Sequence, residues 1–260
     1  MGSSPLFVGG RVVHRSAPHP APTDTTTMSK ISLPVPIRPQ PDGRSCGPTC
    51  LEAVYAYHGD AFDLNAINEG IPQLDTGGTL AVQLGCHALT RGYRADLYTL
   101  NLQLFDPTWF RTPRPDLAER LQSQAKHKLD DDKLVYATEH YLRYLTLGGR
   151  VHHEVLDATL IHRMLVEGLP ILTGLSATFL YNESREYGDD DLRDDLRGLP
   201  VGHFVVICGI DRETGTAEIA DPWPHEGVHR HSLPYDRLAC AILLGVLTYD
   251  ANLLVLSPQR

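Results

Sequence analysis

The segment from Gly202 to Trp223 constrains this chain more than any other. Phe204 to Ile210 is wholly apolar, Arg212-Glu-Thr-Gly215 has the composition of a tight turn, and Thr216 to Ala220 runs back. Two such runs around a short turn read as an antiparallel hairpin, so the chain must build a sheet. Pro222 ends the return strand, because it has no N–H to offer a ladder. A turn centred between Glu213 and Thr214 sets residue 203 roughly opposite residue 224. At about 3.4 Å of rise per residue, Asp221 then falls within one side-chain reach of His203.

Helical spacing dominates upstream. From Cys46, residues Leu51, Val54, Tyr55 and His58 share one helical face, with Pro48 in the first turn and Gly59 as the stop. Thr76 to Thr79 is expected to open a second helix carrying Leu80, Leu84, Ala88 and Leu89, and Tyr93 to Leu100 alternates as a strand. Helices are expected from Leu117 to about Leu129 behind an Asp116 cap, from Lys133 to Leu145, and from Asp157 through Val166. Val151 to Val155 and Ile171 to Leu175 read as strands. Two closing apolar runs, Cys240 to Tyr249 and Leu253 to Leu256, are expected to complete the sheet.

This order implies an α+β fold, an N-terminal helical part packed on a C-terminal antiparallel sheet. Residues 1 to about 33 are rich in Pro, Ser, Thr, Gly and His and show no periodicity. They read as a disordered leader, or as an extension upstream of a start at Met28, with one folded domain over residues 34–260.

Cys46 stands out among five cysteines. A nucleophilic thiol needs a helix N-terminus to favour its thiolate, a basic partner, an oxyanion donor, and an acid to orient the base. Cys46 opens a helix; its own N–H and the side-chain amide of Gln40 are the candidate oxyanion donors. Asp42-Gly43 makes a turn that can fold the amide back over the sulfur. Gly47 is read as leaving room for a substrate backbone. His203, just ahead of an apolar strand, is the candidate base, and Asp221 the acid that holds it. Cys50 and Cys208 read as packed thiols, whereas Cys86 and Cys240 have no chemical context.

Other chemistries are weaker. His225, His229, His231 and the His152-His153-Glu154 group lack the HExxH spacing of a helical metal site, and they read as loop histidines. No metal or cofactor is therefore expected. The acidic run between Asp189 and Asp195 reads as a solvated surface loop. Ser176, Ser184 and Ser232 lack a GxSxG context. A net charge of -9 and the absence of a basic stretch argue against nucleic acid. The longest apolar run near the C-terminus, Leu238 to Val246, is far too short for a membrane span, and no secretory signal is legible. The cytoplasm is the expected compartment.

Gln40-x5-Cys46-Gly-Pro-Thr-Cys50, Gly202-His203-Phe-Val-Val-Ile-Cys-Gly-Ile-Asp211 and Ala220-Asp221-Pro-Trp223 together resemble the motifs of the peptidase C39-like group of the papain-like cysteine peptidases. The resemblance spans roughly residues 34–256. It implies a papain-like fold and a peptide or amide substrate. It also implies Cys46 as nucleophile, His203 as general acid–base, Asp221 as the orienting acid and Gln40 as oxyanion donor. Residues 105–147 and 182–198 look like additions to a minimal peptidase, and no transporter segment accompanies the motifs, so neither substrate class nor an export role transfers. Acyl or peptidyl transfer, a non-catalytic peptide-binding cleft, and redox sensing through Cys46 and Cys50 are the alternatives.

Overall fold

The computed structural model describes residues 29–72, 78–188, 190–225, 227–248 and 250–259. Its strands are β1 (Lys30–Ser32), β2 (Tyr93–Thr99), β3 (Arg150–His152), β4 (Ile171–Ser176), β5 (Glu186–Tyr187), β6 (Leu192–Arg193), β7 (Gly202–Asp211), β8 (Thr216–His225), β9 (Val228–Pro234) and β10 (Asn252–Pro258). Its α-helices are α1 (Cys46–Tyr57), α2 (Leu64–Gly70), α3 (Ala81–Thr90), α4 (Leu117–His127), α5 (Asp132–Thr146), α6 (Ala158–Val166), α7 (Ala177–Tyr181) and α8 (Tyr235–Leu244). Among the described residues, no helix is long and apolar enough to cross a membrane.

The main sheet runs β3-β2-β10-β4-β7-β8-β9, with β1 also pairing β7, and β5-β6 form a separate two-stranded ribbon. The fold is α+β, as the order of elements implies. Strands β2 and β3, from the helix-rich half, also join the sheet, and they pair in parallel. Helices α1 to α5 pack on one face around Leu51, Tyr55, Leu84, Tyr144 and Val206. Helices α6, α7 and α8 cover the other around Ile161, Leu165, Ile207 and Ile242. The apolar run Phe204 to Ile210 follows from this, since β7 supplies side chains to both layers.

Several sequence expectations need correction. Within the expected strand Cys240 to Tyr249, the described residues form the end of α8 and a 3₁₀ turn, Gly245–Thr248. Leu238, Ala241 and Ile242, at helical spacing, bury one side of α8, and an unbroken apolar run hides that period. Helix α2 was not expected, although Asp63 caps it by accepting from Asn65 and Ala66 N–H. His229 and His231 lie on β9 and His152 on β3, so these are strand residues. The expected leader overlaps the fold, because β1 pairs Lys30 with Asp211 and Ser32 with Gly209. Residues 1–28 of that leader lie outside the described residues, as do Thr76 and Gly77 of the expected helix start, Asp189 and Tyr249.

Candidate active site

Cys46 is the first residue of α1 and is buried, 8% exposed. The N–H groups of a first helical turn have no intrahelical acceptor, so they present partial positive charge beside the sulfur. The preceding loop is shaped by Asp42, whose Oδ1 accepts from Arg44 N at 2.8 Å and Ser45 Oγ at 2.7 Å. Gln40 is tied in by its backbone, Gln40 N donating to Pro222 O at 3.0 Å. Its Nε2 donates to Asp42 O at 2.5 Å, which commits one of the two amide hydrogens inside the loop and leaves one.

His203 and Asp221 meet through a hydrogen bond of 2.7 Å between His203 Nε2 and Asp221 Oδ1. The hairpin register that produces it differs from a plain count. Asp211 pairs Thr216 and Gly209 pairs Glu218, a register that would carry residue 203 to residue 224. Between Ile207 and Gly209 it shifts by one, so that Ile207 pairs Ile219 and Val206 pairs Ala220. A one-residue shift exchanges sheet faces. In the unshifted register Asp221 would lie opposite Val206, on the other face from His203. In the shifted one it lies opposite Val205, two positions from His203 on the same face. The bulge at Cys208 is thus what lets the acid reach the imidazole.

The second ring nitrogen of His203, Nδ1, is not engaged by Asp221, and Cys46 lies near enough for its side chain and charge to act on the ring. Burial opposes charge on His203, but the bonds and charges of Asp221 and Cys46 outweigh it and push its pKa up to about 10. Asp221 is fully buried, which alone would favour its neutral form. The bond and charge of His203, the Tyr181 hydroxyl and the Trp223 N–H reverse that and hold the carboxyl below its usual range. Tyr181 Oη donates to Asp221 Oδ2, and Trp223 N donates to Oδ1 at 2.7 Å. His229 Nδ1 donates to the Asp221 main-chain oxygen at 2.7 Å.

Gly47 does not leave room for substrate. The position of an added Cβ is filled by Thr79 Oγ1, Leu84 and Phe204, so the missing side chain lets α1 pack against α3 and β7. One turn on, Cys50 Sγ donates to Phe204 O at 3.3 Å and ties α1 to the residue after His203. Burial raises the Cys50 thiol well above its ordinary range. Burial also pushes Cys86 to about 11 and Cys208 to about 12. Sequence reasoning missed Tyr181 altogether. Strands β5, β6 and β7 separate it in sequence from the strand of Asp221, and the β4–β7 pairing, Leu175 with His203, brings the end of β4 and the helix after it to this place.

No protein-family model matches the chain, and no curated protein matches it in sequence. Solved structures do. A putative C39-like peptidase from Bacillus anthracis aligns with a TM-score of 0.51 at 13% identity, over 89% of this chain and 98% of that one. Xylellain, a cysteine protease from Xylella fastidiosa, aligns with a TM-score of 0.43 at 17% identity, over 89% and 87%. The peptidase domain of Streptococcus ComA, a bifunctional ABC transporter, aligns with a TM-score of 0.39 at 15% identity, over 85% and 97%. The likeness to the Bacillus anthracis structure shows a shared architecture, a papain-like fold. Within that class, the Bacillus anthracis structure identifies it as the C39-like fold.

Proposed function

We propose that this protein is a cysteine hydrolase that cleaves a peptide or amide bond through a thioester on Cys46. The observation that carries the reading is the His203–Asp221 hydrogen bond set beside Cys46 at the N-terminus of α1. With its pKa at about 10, His203 is an imidazolium at neutral pH, the proton donor this scheme needs beside Cys46.

In this scheme the Cys46 thiolate adds to the substrate carbonyl carbon. The oxyanion takes hydrogen bonds from the Cys46 N–H and from the remaining Gln40 amide hydrogen. The tetrahedral adduct collapses, the C–N bond breaks, and the amine leaves with the proton of His203. Neutral His203 then takes a proton from water as it attacks the thioester, the carboxylic acid is released, and the thiolate–imidazolium pair returns. Asp221 keeps the ring oriented throughout. The proposed setting is the cytoplasm, where five cysteines without a disulfide stay reduced.

The test is mass-spectrometric capture of an acyl group on Cys46 after exposure to cell extract, with Cys46→Ala as control and rates of alkylation measured in parallel. An acyl adduct confined to Cys46 supports the reading and identifies the substrate. A Cys46 that alkylates no faster than free cysteine and captures no acyl group sinks it. Added amine separates hydrolysis from acyl transfer by the product formed.

A further inference from the structure

The Asp221 carboxylate is fully buried, yet each of its oxygens has a donor. Oδ1 receives His203 Nε2 and Trp223 N, and Oδ2 receives the hydroxyl of Tyr181. Burial and the Asp221 charge raise the Tyr181 pKa, so its hydroxyl keeps its proton and acts as a donor.

Tyr181 is held as firmly as a catalytic support requires. It ends α7, a helix fastened at both ends. Ser176 caps the start, and Ala177 N donates to Val201 O at 2.9 Å while Val201 N donates to Thr178 Oγ1 at 2.9 Å. At the other end, Arg237 on α8 donates Nε to Leu180 O and Nη2 to Phe179 O, each at 2.7 Å. Val201 lies two residues before His203, so α7 and the entry to β7 are one hydrogen-bonded unit. The titratable groups facing the pair are His203 on β7, Cys46 and Cys50 on α1, and His229 on β9. His231 on β9 stands 6.2 Å from the Tyr181 ring, and Glu183 follows α7.

We infer that Tyr181 is a positioning residue for the site. By donating to Asp221 Oδ2 it keeps the buried carboxylate aligned on His203, and so holds the imidazole that acts on Cys46. This rests on the reading of Cys46 as nucleophile. Nothing in the local sequence of Tyr181 signals the role, which comes from the packing of α7 against the β7–β8 hairpin.

The experiment follows the rate of Cys46 carboxamidomethylation by iodoacetamide against pH, read by mass spectrometry on the Cys46 peptide. It compares the full-length protein with Tyr181→Phe, Asp221→Asn and the double variant. Removing a donor raises the proton affinity of a carboxylate, so Tyr181→Phe moves the acid limb up by about one pH unit. In the Asp221→Asn background the same change moves nothing, because its target is gone. Site-specific 3-fluorotyrosine at position 181 keeps the shape with a stronger donor and moves the limb down, which covers a Tyr181→Phe protein that folds poorly. A fast-reacting wild-type Cys46 whose profile is unmoved by either change overturns the role of Tyr181 alone. So does an equal shift with and without Asp221. A wild-type Cys46 that reacts as an ordinary thiol removes the nucleophile reading, and this inference with it.

Discussion

Gly47→Ala tests how α1, the helix that begins at Cys46, is seated. The added Cβ would stand 2.5 Å from Thr79 Oγ1, 3.2 Å from Leu84 Cδ1 and 3.3 Å from Phe204 Cδ2. Thr79 is β-branched and stiff at χ1, and it sits just ahead of α3, whose Ala81 N–H is anchored on Asp250 Oδ2 at 3.0 Å. Retreat of that wall is therefore costly. Overpacking of this kind costs about 1–3 kcal/mol. The higher helix propensity of Ala returns at most about 1 kcal/mol, and less in a first turn. The net expectation is a loss of about 1–2 kcal/mol, or roughly 3–6 °C in melting temperature for a chain of this size. Thermal and urea unfolding measure it, with Cys46 alkylation as a second readout, since a displaced α1 carries Cys46 away from His203. Thr79→Ala removes a hydroxyl that has no hydrogen-bond partner among the described residues, and it opens space where the new methyl goes. The double variant should recover about 1 kcal/mol relative to the sum of the single changes. A Gly47→Ala protein as stable as wild type, or two changes that simply add, would refute this account of the packing.

Two stability predictions concern polar groups away from Cys46. Asp250 is buried, and its pKa is raised by burial from 3.8 to about 7 despite the bonds from Asn252 and Ala81. The folded protein then binds the proton more tightly than the unfolded chain, so Asp250 makes stability fall as pH rises from about 4 to about 7; Asp250→Asn should flatten that part of a melting-temperature profile, and an unchanged slope would count against it. Arg230 reaches Leu33 O at 3.0 Å, Val35 O at 3.4 Å and Glu218 Oε1 at 2.8 Å, clamping the chain that leads to Gln40. Arg230→Met should cost about 2 kcal/mol and speed hydrogen exchange at Leu33 and Val35; protection equal to wild type would show that the clamp is dispensable.

Much of the site was readable because its pieces are local. A helix beginning at Cys46 follows from spacing and from Pro48, and the hairpin that joins His203 to Asp221 follows from two strand patterns around one turn. Both are short-range properties of the chain. The α8 helix was misread because a continuous apolar run carries no period, and only its position between β9 and the 3₁₀ turn reveals a buried stripe. Gly47 was misassigned for a related reason: a glycine beside a cysteine looks the same whether substrate or Thr79 occupies the space next to it.

The amino-acid order by itself determined the helix that begins at Cys46, the α+β class, and that His203 and Asp221 stand one hairpin apart. Those depend on periodicity and turn chemistry, which act over a few residues. The tertiary structure alone decided that the β7–β8 register shifts at Cys208 and so turns Asp221 to the face of His203. It also decided that Tyr181 completes the carboxylate and that Thr79 fills the hollow at Gly47. These depend on contacts between residues far apart in the chain, where a one-residue shift reverses a side chain's direction and no local pattern records it.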